Sequence, residues 1–253
     1  GYVTFPGGMM AVLAGKPLVL HKQNSVAGLA NRVLAGIADR IFTAFPGVLK
    51  KGQWVGNPLR AAFTQQPAPE ARFAGRGGPL KLLVVGGSLG ARALNEVVPQ
   101  ALALIPEARR PAVTHQSGEK QLEQLRASYA AAGVQGELLP FITDMARACA
   151  EADVVICRSG ASTVTELAAV GCAALFVPFP FAVDDHQTAN ARFLVDAGGG
   201  WLVQQADLTP QGLAAMIEKW ERPALLQHAL AAKKMQKTQA TREVAAACEE
   251  LAA

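Results

Sequence analysis

Little in this sequence would staple the fold, cage a metal or span a membrane. Its four cysteines, at 149, 157, 172 and 248, form no C-x-x-C pair and no framework spacing. They read as buried thiols of a reducing compartment, not as disulfides or a zinc site. The longest uncharged run, Leu167 to Val183, contains Gly171, Pro178 and Pro180 and falls short of the ~20 apolar residues a spanning helix needs. It reads as a helix end, a turn and a buried strand. Residues 1–15 are also uncharged, but no basic stretch precedes them as it would in a signal peptide. An initiator methionine is lacking too. The chain opens on Gly1-Tyr2-Val3, which suggests a fragment.

What is present favours a packed α/β protein. Apolar residues make up 51% of the 253 and charged ones 17%, with 24 glycines spread throughout. That composition excludes disorder, collagen and coiled coil for the whole chain, and the length fits two domains or one large one. The formal charge of +4 is uneven: residues 1–70 carry seven Lys/Arg against Asp39 and Glu70, whereas the rest is nearly neutral. A basic front end suits an anionic partner such as a phosphate or a lipid surface, or serves simply as solvated surface. It lacks the interleaved aromatics that would stack bases, so nucleic acid is not expected.

The first sixty residues read as β-α-β. Leu18 to His21 is a short strand, Asn24 or Ser25 caps a helix with apolar positions from Val26 to Ile37, and Ile41 to Ala44 is the next strand. A further short strand lies near Trp54-Val55. Residues 56–79 lose periodicity and collect prolines and glycines, the composition of a linker or hinge. Beyond residue 80, strands are expected near 81–85, 112–114, 137–141, 153–157, 174–177 and 201–204, with helices between them and a helical tail over 209–252. Repeating β-α units predict a parallel sheet covered on both faces.

Four polar clusters fall at strand ends. In Val85-Gly86-Gly87-Ser88-Leu89-Gly90-Ala91, a strand runs into a glycine-rich turn and a helix. The dinucleotide pattern G-x-G-x-x-G fails at Ser88 and Ala91. A nucleophile elbow, G-x-S-x-G, fits literally, with Asp184 and His228 as possible triad partners, but the upstream oxyanion segment is missing. A phosphate cradle fits better, and a plain tight turn is the structural alternative. In Cys157 to Glu166, Thr163 and Glu166 have capping-box spacing. Equally, the small residues after Gly160 leave room for a ligand at a helix start, where Glu166 could chelate ribose hydroxyls. Asp184, Asp185, His186, Gln187 and Asn190 follow the strand at 174–177 and suit sugar hydroxyls better than a metal. His21 to Asn24 ends the first strand, with His21 most simply a structural hydrogen-bonder. Arg60 lies at the hinge within reach of a diphosphate.

These residues, in this order, resemble glycosyltransferase family 28, specifically the UDP-N-acetylglucosamine:lipid I N-acetylglucosaminyltransferases of bacterial peptidoglycan synthesis. The resemblance rests on Gly1-Tyr2-Val3, His21 to Asn24, Gly56-Asn57-Pro58-Leu59-Arg60, Gly86 to Ala91, Phe141-Ile142, Arg158 to Ala161, Glu166 and Asp185-His186-Gln187, and spans the chain. It implies a GT-B architecture of two Rossmann-like domains, the first only partly present. Residues 1–60 would belong to the acceptor and membrane domain, 61–225 would form the donor domain, and 226–253 would cross back. It also implies an inverting transfer of GlcNAc from UDP-GlcNAc to lipid I, giving lipid II without metal or other cofactor. The enzyme would sit peripherally at the cytoplasmic face of the inner membrane, against its anionic surface. By matched motif, Ser88 and Arg60 would hold the diphosphate, and the backbone at Ile142 would read the uracil. Glu166 would bind the ribose, Asn24 and Gln187 the GlcNAc hydroxyls, and Ala161, Ser162, Thr163, Val164 and Thr165 would line the donor pocket.

Two departures stand out: Lys22 where the family usually has Glu, and Leu89 where it usually has Gln. The family's proposed catalytic base lies in a glycine-rich motif not found in this chain, so donor binding with little turnover is expected. A Ser88 hydrolase and a non-catalytic nucleotide-binding module are the alternatives.

Overall fold

A computed structural model describes residues 3–87 and 91–252. Two parallel sheets form the framework. The smaller has the order β1-β2-β3, from Val19–Lys22, Arg40–Thr43 and Gln53–Trp54. The larger contains β4 (Lys81–Val85), β5 (Ala112–Gln116), β6 (Glu137–Leu139), β7 (Val154–Cys157), β8 (Ala174–Phe176) and β9 (Gly200–Leu202). Its order, β6-β5-β4-β7-β8-β9, is doubly wound and reverses direction between β4 and β7.

The larger sheet forms where the apolar runs lie. Val154-Val155-Ile156-Cys157 is at most 1% exposed along its length, as expected of a parallel strand covered on both faces. Alternate residues feed two cores. Leu82, Val84, Val154, Ile156 and Leu175 pack on α5 (Arg92–Leu104), α6 (Leu122–Ala132) and α10 (Pro210–Lys219). Leu83, Val155, Cys157, Ala174 and Phe176 pack on α7 (Met145–Glu151), α8 (Ala161–Val170) and α9 (His186–Val195). The expected strands are all found, some a residue or two shorter. The uncharged run also divides as expected, into the end of α8, a turn and β8. Gly171 ends α8 at φ +76°, and a Cβ there would meet Pro69 at 2.8 Å, so the position demands glycine for both conformation and space.

Three expectations need correction. The helix after β1 is α2 (Leu29–Ala35), with Gly28 at its N-cap and no side-chain cap. Ser25 instead gives its hydroxyl to Asn190 Oδ1 at 2.7 Å, a partner on α9, which covers the larger sheet. The stretch 56–79 is no loose linker either: it holds the short helices α3 (Ala61–Thr64) and α4 (Pro69–Phe73) and two arginine bolts. Arg72 donates to Ala150 O at 2.8 Å and Val170 O at 3.1 Å, satisfying the last carbonyls of α7 and α8. Arg76 pairs with the buried Asp153 carboxylate at 2.6 Å. Asp153 also accepts from Lys81 N at 2.8 Å and pairs with Arg222 at 3.0 Å. The third correction is the capping box, described with the site.

The amino-terminal residues form α1 (Thr4–Leu13), against α2. At the other end, α11 (Arg222–Lys234) packs on α4, α8 and β9, while α12 (Ala240–Ala252) returns to the smaller sheet. There Ala240 and Ala247 pack with Phe42 and Val55, and Arg40 pairs with Glu250 at 2.7 Å.

Candidate functional site

Ligands of doubly wound sheets sit outside the carboxyl ends of the strands, where the order reverses. Here that is the opening between β4 and β7. The loop after β4 begins with Gly86 and Gly87, and the loop after β7 is Arg158-Ser159-Gly160. Between them lies a cavity of about 220 Å³, lined by Arg60, Gln116, Ile142, Cys149, Thr163 and Glu166 among others. Its volume is below the ~300–1,000 Å³ of sites for whole drug-sized ligands and is the size of a single ring system. A bigger concavity, about 920 Å³, is lined by Lys81, Ala112 and Glu137, the first residues of β4, β5 and β6. Most of it lies toward the amino ends of the strands, away from the ligand side of the sheet, and Leu139 and Ile142 line its far edge.

Helix α8 begins at the cavity mouth. Gly160 is its N-cap, in extended conformation, and no side chain caps it. The first helical bond runs from Val164 N to Gly160 O at 3.0 Å. Thr163 and Glu166 therefore both lie inside the helix and form no capping box; the register set by Gly160 overrides the spacing. The uncapped N–H groups and the dipole make this end attractive to an anion. Val164 and Thr165 are buried, and Val164 N is already committed to the helix, so the free N–H groups of this helix start lie before Val164. The Thr165 hydroxyl donates back to Ala161 O and Ser162 O, each at 3.0 Å.

Glu166, one turn further on, is 22% exposed at its side chain and lies 3.8 Å from Arg60. Burial raises its carboxyl above the usual range, and the Arg60 guanidinium opposes that shift. Arg60, just before α3, stacks over the Phe63 ring at 4.9 Å. Ile142 follows β6 and reaches the cavity from the opposite side. Ser88, Leu89 and Gly90 lie outside the described residues, so the phosphate-cradle expectation is represented only by Gly86 and Gly87.

The smaller sheet contributes the far wall. Residues 23–25, after β1, lie against the starts of α8 and α9. Gln23 donates to Ser162 Oγ at 3.2 Å, Ser25 N to Asn190 Oδ1 at 3.0 Å, and Asn190 to Asn24 Oδ1 at 3.4 Å. Gln187 accepts from Phe179 N at 2.9 Å, leaving its amide nitrogen as the donor end. Asp184 and Asp185 both take left-handed backbone, φ +55° and +46°, which Asp tolerates better than most residues. Burial lowers the ammonium pKa of Lys22, and the Asp184 charge pulls the other way. His21 bonds Gly56 O at 2.9 Å, the structural role expected of it.

The hydrolase alternative finds no support. His228 bonds Gly198 O at 2.6 Å and stacks on Trp201 at 4.4 Å, at the start of the edge strand β9. That is three strands away from the Gly86-Gly87 turn and at the opposite end of the sheet. Among the described residues, no group of three His, Cys, Asp or Glu could hold a metal ion.

Gln116 was not among the expected site residues. It ends β5, is 2% exposed, and its amide donates to Gly87 O at 3.1 Å and Pro140 O at 3.0 Å. One side chain thus ties the glycine-rich turn to the loop carrying Ile142. Its only sequence signal is a polar residue closing an apolar central strand.

The glycosyltransferase family 28 C-terminal domain matches residues 81–249. The chain is 74% identical, over 253 residues, to the UDP-N-acetylglucosamine--N-acetylmuramyl-(pentapeptide) pyrophosphoryl-undecaprenol N-acetylglucosamine transferase of Paracidovorax citrulli, covering all of this chain and 71% of that protein. It is 72% identical to the protein of the same name from a Polaromonas species, of which it spans 65%. The crystal structure of Acinetobacter baumannii MurG superposes with a TM-score of 0.90 at 41% identity, covering 99% of this chain and 71% of that one. Staphylococcus aureus MnaA, solved with UDP, shares the fold alone, with a TM-score of 0.64 at 12% identity.

Proposed function

The chain belongs to glycosyltransferase family 28, with its two-Rossmann GT-B fold, and we infer that it is a UDP-GlcNAc-dependent hexosyltransferase forming lipid II for peptidoglycan. It transfers GlcNAc to the MurNAc-pentapeptide of undecaprenyl-pyrophosphoryl lipid I. The observation that carries the site assignment is the meeting, at the β4/β7 opening, of the uncapped α8 start with Glu166 and Arg60 around one ring-sized cavity.

In this reading the uracil enters the cavity against the backbone of Ile142, and Glu166 accepts from the ribose hydroxyls. Ser88 and its turn, together with Arg60, take the diphosphate. The main chain of Ala161 to Thr165 lines the donor, and Asn24 and Gln187 meet the sugar across the cleft. A lipid I hydroxyl, giving up its proton to a general base or water, attacks the anomeric carbon as the bond to the β-phosphate oxygen breaks. The electron pair leaves on UDP, whose growing charge is stabilised by the α8 dipole and Arg60. Residues 61–225 are the donor half. Residues 1–60 are the C-terminal part of the acceptor domain, with 226–253 crossing back to it.

The acceptor's lipid tail places the reaction at a bilayer, and an exposed apolar patch supports docking there. Met10, Leu13, Leu29 and Val33 on α1 and α2 are 63%, 74%, 79% and 44% exposed, with Lys16 and Arg32 nearby in sequence. No described helix is long and apolar enough to cross a membrane. Peripheral binding to the anionic cytoplasmic face of the inner membrane follows from this reading.

Calorimetric titration with UDP-GlcNAc, against UDP-glucose, ADP and GDP, tests the donor assignment. Selective uridine binding that weakens in Glu166→Ala is expected. Equal binding of ADP, or an unchanged Glu166→Ala, would overturn it.

A further inference from the structure

Gln116 is the last residue of β5, the strand between β4 and β6, and its register partners are Val85 and Leu139, the last residues of those strands. One residue further on, each neighbour becomes a loop of the candidate site: Gly86-Gly87 on one side, Pro140 to Ile142 on the other. Main-chain bonds start both loops, from Gly86 N to Gln116 O at 3.2 Å and from Gly118 N to Pro140 O at 3.1 Å. The Gln116 side chain lines the cavity together with Gly87 and Ile142.

Both loops have joints that their own backbone leaves free. Pro140 has no N–H to anchor it. Gly87 takes φ +83°, where glycine meets no steric barrier, and a Cβ there would meet no atom of the described residues within 4 Å. The backbone at Gly87 is therefore open to a ligand. The Gln116 amide donates to Gly87 O at 3.1 Å and to Pro140 O at 3.0 Å, so one rigid group fixes a peptide unit in each loop. Turning that amide over would set its oxygen against two carbonyl oxygens, so the two bonds determine its orientation. Its own Oε1 is buried and receives no hydrogen bond from the described residues. A buried acceptor without a donor costs stability. A glutamine placed for folding would be satisfied at both ends, whereas this one holds two loops of the site and carries an unpaired oxygen.

We propose that Gln116 is a positioning residue of the nucleotide site, holding the Ile142 main chain to the pyrimidine edge and the Gly87 turn to the diphosphate through one amide. The proposal rests on the donor-site reading above. Both carbonyls hang on the same nitrogen, so ordering one loop on its part of the nucleotide restrains the other. Base recognition and phosphate binding then reinforce each other. UDP and CDP isolate the base, because they share ribose and diphosphate and differ at the ring edge: N3 carries hydrogen in uracil and a lone pair in cytosine.

The test compares the full chain with Gln116→Met, which keeps the length and the apolar stem and removes both donors. Calorimetry with UDP, CDP and ADP measures binding, and urea unfolding checks the fold. Gln116→Met should bind UDP about tenfold more weakly, the worth of one hydrogen bond. Its preference for UDP over CDP should shrink severalfold, and its urea midpoint should stay unchanged, since the lost bonds are offset by removal of the unpaired oxygen. In the wild type, the side-chain amide hydrogens of Gln116 should exchange with water more slowly once UDP is bound. Unchanged UDP affinity in a folded variant overturns the proposal. So does an equal loss for UDP and CDP, which would separate Gln116 from base recognition. If the variant does not fold, the wild-type amide decides: exchange unaltered by saturating UDP overturns the proposal, and slowed exchange supports it. A wild type that binds UDP no better than CDP or ADP fails the donor-site reading and takes the proposal with it. A selective wild type with an indifferent variant fails the proposal alone.

Discussion

His115 gives this fold an acid limit that can be worked from its contacts. It lies on β5 and is fully buried, with Nε2 3.0 Å from Asn95 Oδ1 and Nδ1 3.1 Å from the Tyr129 hydroxyl. Asn95 gives its amide to Gln121 Oε1 at 2.8 Å, so its own oxygen requires a donor. The imidazole therefore carries its proton on Nε2 and accepts from Tyr129 at Nδ1. A second proton would bring a charge into this site, and burial lowers the imidazole pKa to about 3. In the unfolded chain a histidine titrates near ~6.5. Between these values the unfolded state binds the extra proton and the folded state does not. The contribution is thus intact above the unfolded value and is lost as pH falls, at roughly 1.4 kcal/mol per pH unit, or about 2 kcal/mol between pH 7 and pH 5. Glu166 has the opposite sign, because its carboxyl is raised in the fold and favours the folded state as acid is added. Comparison with His115→Gln separates the two, since an amide can donate to Asn95 and accept from Tyr129 without titrating. Urea unfolding at both pH values should show the wild type losing about 2 kcal/mol more than the variant. An imidazole resonance of His115 that titrates near pH 6.5 in the folded chain would refute the argument, as would equal pH dependence in the two proteins.

Other consequences can be measured directly. Asp153→Ala leaves Arg76 and Arg222 without their shared carboxylate and should cost about 3–5 kcal/mol in urea unfolding, as breaking a buried ion pair does; a loss under about 1 kcal/mol would mean the cluster is not a staple. Glu166→Gln should weaken UDP-GlcNAc binding by about 1.5–3 kcal/mol, the range for a hydrogen bond to a charged group. Wild-type affinity should likewise fall as pH drops through the raised Glu166 pKa, and a pH-independent affinity would remove Glu166 from the ribose. Binding to anionic vesicles should exceed binding to neutral ones, decline with salt and decline in Leu29→Glu, whose side chain is fully in the exposed patch. A variant that floats with vesicles as the wild type does would place the docking surface elsewhere.

Much of the architecture was legible in the chain itself. Short β-branched apolar runs such as Val154 to Cys157, bounded by turn residues, read as parallel strands buried on both faces, and polar residues at their carboxyl ends mark the ligand side of the sheet. That logic singles out Arg60, Glu166 and the Gly86-Gly87 turn, and the fold gathers Arg60, Gly87 and Glu166 around one cavity. Partners far apart in sequence were not legible. Ser25 reads as a helix cap until Asn190, 165 positions away, takes its hydroxyl. Residues 56–79 read as a hinge until Arg72 and Arg76 reach the ends of α7 and α8. Cys149 and Cys172 are 23 residues apart and carry no motif, yet the fold sets the Cys172 thiol to donate to the Cys149 carbonyl at 3.2 Å. Periodicity and turn chemistry report what a segment does with its own backbone. Which buried polar group, cation or sulfur meets which other depends on how the two sheets and their helices close on each other, and that is decided only by packing.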